Sequence, residues 1–454
     1  MQVPTDGLPT PQRYWAVLTI SLGLVMAVLD GAIANIALPT IAHDLGASPA
    51  NSIWIVNAYQ LAVTISLLPL ASLGEIFGYR RVFLTGMVVF TIASLGCAVA
   101  TSLLTLTVAR VFQGFGGAGI MSVNVALLRF IYPRSWIGRG VGINAMVGSV
   151  SSALGPTVAS VILSVAHWPW LFAVNVPTGA LALLAGLRSL PRTTLAKHRF
   201  DLQSAALSAL TFGLLITGVD GIGHGQRPVS VAIELAAAIG IGGYLVSRQM
   251  AQASPLLPVD LMRIPLFALS VATAIAAFAA QGLAYVSLPW FFEDVLGRTQ
   301  VASGLLMTAW PLTVALIAPT AGRLSDRFPA GVMGGIGLAL MAAGLGLLAI
   351  MPARPADIDV IWRMCLCGLG FGIFNAPNNR AMITSAPPAR SGGASGMMAT
   401  SRLLGQTLGA ALVAMAFGFF PANGTTVTLV MGTGFATVAA AVSLLRMAER
   451  PRRA

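Results

Sequence analysis

The chain has 454 residues, of which 56% are apolar and only 9% are charged, and its mean hydropathy is +0.84. Soluble domains carry roughly 25% charged residues, so this composition excludes an ordinary soluble enzyme and leaves no room for a large extramembrane domain. A formal net charge of +12 would suggest nucleic acid in a soluble protein. Here the basic residues fall in short loops between long apolar runs, which indicates anionic lipid instead and no nucleic-acid partner.

Apolar runs of about 20 residues, each long enough to cross a bilayer, predict fourteen transmembrane spans. The first six lie near 14–38, 52–73, 82–101, 103–128, 137–163 and 168–187. Two more follow near 202–222 and 229–250. The last six lie near 266–292, 301–322, 330–351, 359–379, 393–417 and 426–447. The predicted fold class is therefore an all-α integral membrane protein.

The basic residues test this count, because cytoplasmic loops carry an excess of Lys and Arg. With the N-terminus in the cytoplasm, 20 of the 26 Lys and Arg residues fall in cytoplasmic segments, three in outside loops and three within spans. One missed span would reverse the side of the membrane assigned to every later loop, and this asymmetry would be lost. The abundance of Arg, Ala and Gly indicates a GC-rich bacterial genome. We therefore expect a multi-pass protein of the bacterial inner membrane with both termini in the cytoplasm.

The chain contains an internal repeat. Span 4 reads ARVFQGFGGAGIM and span 12 reads WRMCLCGLGFGIF, so each places an Arg near its outer end and a Gly-rich stripe after it. Two cytoplasmic loops, ASLGEIFGYRR and AGRLSDRF, also correspond. Related halves of six helices are typical of secondary carriers, whose substrate site lies at the repeat interface. The predicted division is 1–190 for the N-terminal half, 191–264 for two inserted helices and a linker, and 265–454 for the C-terminal half.

An ordered set of motifs carries a resemblance to a known family. Span 1 ends LDGAIANIALP, similar to L-D-x-T-I-V-N-V-A-L-P; loop 2–3 resembles G-x-L-a-D-r-x-G-R-R; span 4 supplies R-x-x-Q-G-x-G; and span 5 contains the Gly-Pro of G-P-x-x-G-G. Over almost its whole length the chain resembles the fourteen-span drug:proton antiporter family of the major facilitator superfamily. The resemblance implies a major facilitator fold and proton-driven export of lipophilic, cationic drugs or toxic compounds.

Asp30 is the central candidate for proton coupling, because it is the only acid deep in either predicted six-helix half. A carboxylate at the bilayer centre costs roughly 2.5–3.5 kcal/mol on insertion scales, so Asp30 should face a partner or a watery cavity. Arg110 lies at nearly the same depth in span 4, and the resemblance implies that it faces the central cavity. We expect the two to pair; a permanent structural ion pair is the alternative to a proton switch.

Two cytoplasmic loops and one kinked helix are candidates for gating. The resemblance implies that the loop residues form an inner latch between the halves; the alternative is a pair of solvated turns. In span 5, a Gly-Pro pair should allow close helix packing and a kink, with a hinge as the added role. The gating candidates are Glu75, Arg80, Arg81, Asp326, Arg327, Gly155 and Pro156.

Aromatic and amide side chains at cavity depth are candidates for substrate binding, because flat organic cations are attracted to aromatic faces. Lipid-facing or core packing is the alternative for each. The candidates are Trp54, Asn57, Asn144, Gln281, Tyr285, Phe292, Trp310 and Asn375.

The leading hypothesis is a drug:proton antiporter that acts as a monomer on a small-molecule substrate and needs no cofactor and no metal. Within transport, the alternative is a dedicated exporter of one metabolite, antibiotic or lipid. A membrane sensor or scaffold is the alternative from another class, but it would need a sizeable soluble domain. An enzyme is disfavoured, because the chain has no phosphate-binding G-x-x-x-x-G-K-[ST] loop.

Overall fold

The structure is a computed structural model that describes residues 7–133, 136–193, 195, 200–223, 226–252, 258–325, 327–352, 355–387 and 390–446. Within these ranges the chain is helical and contains no strand. The predicted all-α class is therefore correct. The positive-inside pattern predicts that one end of each helix lies away from the cytoplasm, and we call these ends the outer ends.

Eight helices form the first part of the chain. They are α1 (Gln12–Asp44), α2 (Pro49–Ser52), α3 (Trp54–Phe77), α4 (Tyr79–Ala98), α5 (Leu103–Ile131), α6 (Ile137–Val165), α7 (Pro169–Ala173) and α8 (Asn175–Ser189). The predicted second span is thus divided into α2 and α3, and the sixth into α7 and α8. Such interruptions are tolerated in a membrane protein where side chains and neighbouring helices satisfy the backbone.

The remaining helices are α9 (Leu202–Gly223), α10 (Pro228–Met250), α11 (Pro265–Trp290), α12 (Gln300–Leu324), α13 (Ala330–Ala349), α14 (Asp357–Ser385), α15 (Ser391–Phe419) and α16 (Gly424–Leu445). A short 3₁₀ helix, Val259–Arg263, precedes α11. A π-helical turn, Phe291–Val295, extends α11 beyond the predicted end of span 9 at residue 292.

Thirteen segments of the described chain are long and apolar enough to cross a membrane. The remaining predicted span corresponds to α14, whose 29 residues include Asp357, Asp359, Arg363 and Arg380. Each of the fourteen predicted spans therefore coincides with one helix or with a short helix followed by a long one. The protein is a multi-pass membrane protein.

Local signals explain where several helices begin. Ser102 caps α5 by accepting a hydrogen bond from the Thr105 backbone N–H at 3.2 Å, in a reciprocal capping box. Pro228 and Pro265 occupy first-turn positions, where the missing N–H costs nothing. Gly78 precedes α4 with φ +98°, a conformation that residues with a Cβ rarely adopt.

The helices group into two compact units. The first comprises Met1–Ala34 and Trp54–Ala209, and the second comprises Asn35–Ile53 and Leu210–Ala454. Helix α1 is therefore divided: its N-terminal part, up to Ala34, belongs to the first unit, and its C-terminal part, from Asn35, belongs to the second.

Corresponding helices pack alike within each unit. In the first, α5 packs closely on α3 and α4, and in the second, α14 packs on α12 and α13. Glycines make these approaches possible: a Cβ on Gly116 would meet the backbone of Phe90, and one on Gly370 would meet the backbone of Met341. The Gly-rich stripes of the repeat are thus helix-packing surfaces.

Candidate functional site

Asp30 lies inside α1 with only 3% of its surface exposed. Its Oδ2 accepts a hydrogen bond from Nη1 of Arg110 on α5. Its Oδ1 accepts two more, from Nε2 of Gln113 at 2.7 Å and from Nδ2 of Asn175 at 3.0 Å. The pairing of Asp30 with Arg110 that the sequence predicted is therefore present, and two amide side chains complete it.

Arg110 is fully buried and is held from three sides. Its Nε donates to the backbone oxygen of Ile55 at 2.9 Å, and its Nη1 donates to Oε1 of Gln113 at 2.7 Å. Its Cζ lies 4.3 Å from the ring centroid of Tyr59, within cation–π range. Nη2 is buried with no hydrogen-bond partner among the described residues. The guanidinium thus has one free donor group in an otherwise occupied site.

Gln113 connects this ion pair to α4. Besides bonding Asp30 and Arg110, its Nε2 donates to Oγ of Ser94 at 2.9 Å, and its Oε1 accepts from Sγ of Cys97 at 3.5 Å. Sequence reasoning used Gln113 only as part of a motif and missed Asn175. The signal for Gln113 was its spacing of three residues from Arg110, which places both on one helix face.

Helix α6 approaches α1 closely beside this network. A Cβ on Gly155 would collide with Ala32, two residues from Asp30. The Pro156 carbonyl accepts a hydrogen bond from Oγ of Ser160 at 2.9 Å. Gly155 is thus a packing position next to the buried carboxylate, whereas a hinge role for the Gly-Pro pair stays a prediction.

Three of the substrate-binding candidates lie together in the second unit. Gln281 contacts the Tyr285 side chain. The Tyr285 ring packs edge-on against Trp310, with centroids 5.2 Å apart and planes at 83°. Trp310 is fully buried, and its indole Nε1 has no hydrogen-bond partner in the described part of the chain. We call Gln281, Tyr285 and Trp310 the aromatic wall; its one buried polar atom without a partner in the described structure is the indole Nε1.

The other substrate candidates lie apart from this group. Asn57 of α3 is fully buried, and neither of its amide atoms has a partner within the described ranges. Asn144 of α6 and Trp54 are partly buried, while Asn375 accepts a hydrogen bond from Nδ2 of Asn379 at 3.3 Å. Phe292 is fully buried in the π-helical turn, so α-helical spacing from Tyr285 does not extend to it.

The cytoplasmic gating candidates are only partly described. Arg80 donates to the Leu187 backbone oxygen at 2.5 Å, which ties the start of α4 to the end of α8. Glu75 and Arg81 are exposed near the same turn, as is Arg327 in the second copy. Asp326 lies outside the described residues. A latch role for these side chains stays a prediction.

Two further cations in the C-terminal half had no predicted partner. Arg363 of α14 forms an ion pair with Asp359, with Nη2 and Oδ2 3.1 Å apart, and donates to the Leu347 backbone oxygen at 2.5 Å. The partner was missed although it lies one helical turn away at the i−4 position. Arg363 is therefore neutralised within its own helix. Arg402 is partly buried in α15.

Comparison with known proteins identifies the family. The model of the Major Facilitator Superfamily matches residues 20–410. The chain is 56% identical to the uncharacterized transporter YebQ of Escherichia coli, over the full length of both chains. It is 30% identical to the multidrug resistance protein Stp of Mycobacterium tuberculosis, over 87% of this chain and 74% of that one.

A solved structure shares the fold at low sequence identity. A POT family transporter in complex with 5-aminolevulinic acid superposes with a TM-score of 0.72 at 16% identity, and 98% of each chain is covered. This likeness concerns the fold alone. The paired helical units, the ordered motifs and the family match lead to one conclusion: the chain belongs to the major facilitator superfamily, in its drug:proton antiporter type.

Proposed function

We propose that this protein exports lipophilic aromatic compounds, cationic ones foremost, across the bacterial inner membrane in exchange for protons. The observation that carries the proposal is the buried ion pair of Asp30 and Arg110, in which both charges lie inside transmembrane helices. Ionisable residues at such depth are costly and mark ion or proton pathways. A relative that is a multidrug resistance protein supports the choice of cargo.

The hydrogen bonds indicate where a proton would bind. Oδ1 of Asp30 already accepts from Gln113 and Asn175, whereas Oδ2 accepts only from Arg110. A proton on Oδ2 would therefore remove one of the two acceptors of the Arg110 Nη1 group, leaving Gln113 Oε1, and abolish the ion pair. The guanidinium would then be left as an uncompensated buried charge, which is strongly unfavourable. Proton binding thus changes the relative stability of any two conformations that differ in this contact.

The aromatic wall of Gln281, Tyr285 and Trp310 supplies the substrate contacts in the proposal. Ring faces attract organic cations, and the free indole N–H offers one directional hydrogen bond. Such a wall accepts many flat compounds, because apolar contact and ring electrostatics impose little directional demand.

The proposal is tested by transport in inverted membrane vesicles energised by ΔpH. Asp30→Asn should abolish uphill accumulation of a fluorescent lipophilic cation at near-normal expression. Asp220→Asn is the matched control, since Asp220 is also a buried acid, 6% exposed, but lies on the inserted helix α9. If the Asp30 variant still accumulates substrate under ΔpH, Asp30 is not the coupling site.

A dedicated exporter of one uncharged, hydrogen-bonding compound is the second candidate. The observation in its favour is Asn57, whose amide oxygen and nitrogen are both buried without a partner in the described structure. Both oxygens of Asp30, in contrast, are already occupied. A resistance panel in an efflux-deficient host separates the candidates: unchanged sensitivity to every cation, with loss of sensitivity to one neutral polycyclic compound, would favour the second.

A further inference from the structure

A polar cluster outside the Asp30 network joins the outer ends of α1 and α11. At this point α11 widens into the π-helical turn Phe291–Val295, which carries two consecutive acids, Glu293 and Asp294. Such turns occur frequently at functional sites. The last turn of α1 contributes Thr40 and His43, and all four residues belong to the second compact unit. We call Thr40, His43, Glu293 and Asp294 the outer latch.

The two acids make different contacts with α1. Oγ1 of Thr40 donates to Oε2 of Glu293 at 3.3 Å, and Oε1 of Glu293 is buried with no partner among the described residues. Asp294 Oδ1 lies 3.0 Å from Nε2 of His43, in an exposed pair whose side chains are 39% and 67% accessible. One acid therefore faces inward and poorly partnered, and the other faces outward and paired.

A buried aromatic side chain supports the latch. Trp290 is 4% exposed, and its ring lies 6.2 Å from that of His43 and 6.1 Å from that of Phe417 on α15. A cavity of about 640 Å³ borders Trp290 and Asp294 and extends to Asn51. This cavity brings water next to the latch, so protons can reach it from the outer side.

We propose that Glu293 is a second proton-binding site and that its protonation holds the outer latch together. The inference rests on the proposed proton coupling and adds a site to it. In the observed contacts an ionised Glu293 would have one neutral hydrogen bond, one unpartnered buried oxygen and a like charge on the adjacent Asp294. A protonated Glu293 avoids that cost and keeps the Thr40 contact.

The surrounding charges do not compensate Glu293. From α1, His43 is paired with Asp294, and Asp44 is exposed. From the loop that follows the π-helical turn, Arg298 is engaged with Asp357 of α14, with Nη2 and Oδ1 2.5 Å apart. The outer ends of α12, α15 and α16 carry no charged residue. In the described structure, no cation faces Glu293.

The latch responds to acid through Glu293. Protonation of Glu293 removes a buried charge beside Asp294 and keeps the contact with Thr40. Acid on the outer side therefore closes the latch, and loss of protons loosens it. Thr40 lies ten residues from Asp30 on the same helix, about 15 Å along its axis. The latch and the buried ion pair therefore lie on the same helix, with Pro39 between them.

Pulsed electron spin resonance on the full-length protein in lipid nanodiscs tests the proposal. Spin labels at Asn51→Cys and Ala422→Cys, both exposed at the rim of the cavity in the second unit, report the width of that cavity. The native Cys97, Cys365 and Cys367 are replaced by alanine. In the otherwise unchanged protein, the ratio of short to long distances should increase as pH falls from 8.5 to 5.5, by up to tenfold per pH unit for one coupled proton.

Glu293→Gln imitates the protonated side chain and should hold the short distance at every pH. The matched control is Glu234→Gln on α10, which also has a buried carboxylate oxygen without a partner in the described chain; it should keep the full response. A Glu293→Gln protein that titrates like its parent would overturn the proposal, as would a parent insensitive to pH.

Parallel vesicle transport separates this inference from the proposed function. If the protein exports substrate under ΔpH but the distance response of Glu293→Gln is unaltered, only the second site is rejected. A distance response that disappears in Glu293→Gln, in a protein that exports nothing under ΔpH, would support the second site and reject the proposed function.

Discussion

The ion pair between Asp30 and Arg110 makes a quantitative prediction for a double-mutant cycle. Removing one partner of a buried ion pair costs about 3–5 kcal/mol, because the other charge is left uncompensated. In Arg110→Ala, Asp30 would still accept hydrogen bonds from Gln113 and Asn175. We therefore expect the lower end of that range, about 3 kcal/mol of unfolding free energy. Arg110→Lys should cost less, since a cation remains, but it loses the guanidinium geometry that reaches the Ile55 carbonyl.

The cycle consists of Asp30→Asn, Arg110→Gln and the double variant, which has lost both charges of the pair and should be more stable than Arg110→Ala or Arg110→Gln alone while it remains uncoupled from protons. Reversible unfolding by SDS titration in mixed micelles measures the free energies, and ΔpH-driven uptake in inverted vesicles measures coupling. We expect an interaction energy of about 2–3 kcal/mol between the two sites, within the range for contacting residues. Effects of the two substitutions that add to within about 0.5 kcal/mol would contradict the contact, and the proton switch built on it would be rejected.

Four other substitutions, at three positions, and one topology test complete the predictions. Gly78→Ala forces a Cβ into φ +98° and should lower unfolding free energy by about 1–2 kcal/mol with no change in substrate range, checked by SDS titration. Asn175→Leu removes a donor to Asp30 and should shift the pH profile of transport, whereas Asn175→Asp should impair folding by adding a buried charge. Burial lowers the pKa of Arg446 to about 10, so its charged form destabilises the folded state, and the stability of the protein should rise above that pH. Arg446→Met should therefore raise the melting temperature in detergent. A lower melting temperature would mean that the guanidinium has a partner. Reporter fusions after Arg188 and Arg263 should both report cytoplasm. If the two fusions report opposite sides of the membrane, the number of helices between them is odd, which would exclude two inserted helices.

The sequence predicts the number and order of helices well, because the bilayer imposes a minimum apolar length and the Arg distribution imposes an orientation. It does not predict the interruptions of the helices at Ile53 and Val174, where the backbone keeps right-handed helical φ and ψ. Pro177, in the first turn of α8, has no N–H to donate to the Ala173 carbonyl and was a signal for the second interruption.

The buried ion pair was predictable because depth in a membrane is a one-dimensional quantity. Counting residues from the outer ends of two spans places Asp30 and Arg110 at the same level, since every helix rises 1.5 Å per residue. The same count places Asn175 about seven residues from the outer end of span 6, at the level of Arg110, so this partner could also have been found. It lies at the start of α8, immediately after the interruption that follows α7.

The outer latch was missed for a different reason. The predicted span 9 ended at residue 292, so Glu293 and Asp294 were assigned to a loop in which acids need no explanation. In the structure the helix continues through Val295 as a π-helical turn, which changes the rotation of the chain where the two acids lie. Hydropathy reports the end of an apolar run, whereas the hydrogen-bonding pattern of the backbone decides where the helix stops.

Helix α1 carries residues of both proposed proton sites, and it is divided between the compact units. Its inner part holds Asp30 in the first unit, and its outer end holds Thr40 and His43 in the second. Both contacts restrain the same helix, and Pro39 lies between them. In the two proposals, protonation at the outer end stabilises one position of α1, and protonation of Asp30 removes the ion pair that fixes the same helix to α5. If each event biases one element with two positions, the sites are coupled without any direct contact, and by linkage each must alter the proton affinity of the other by the same factor.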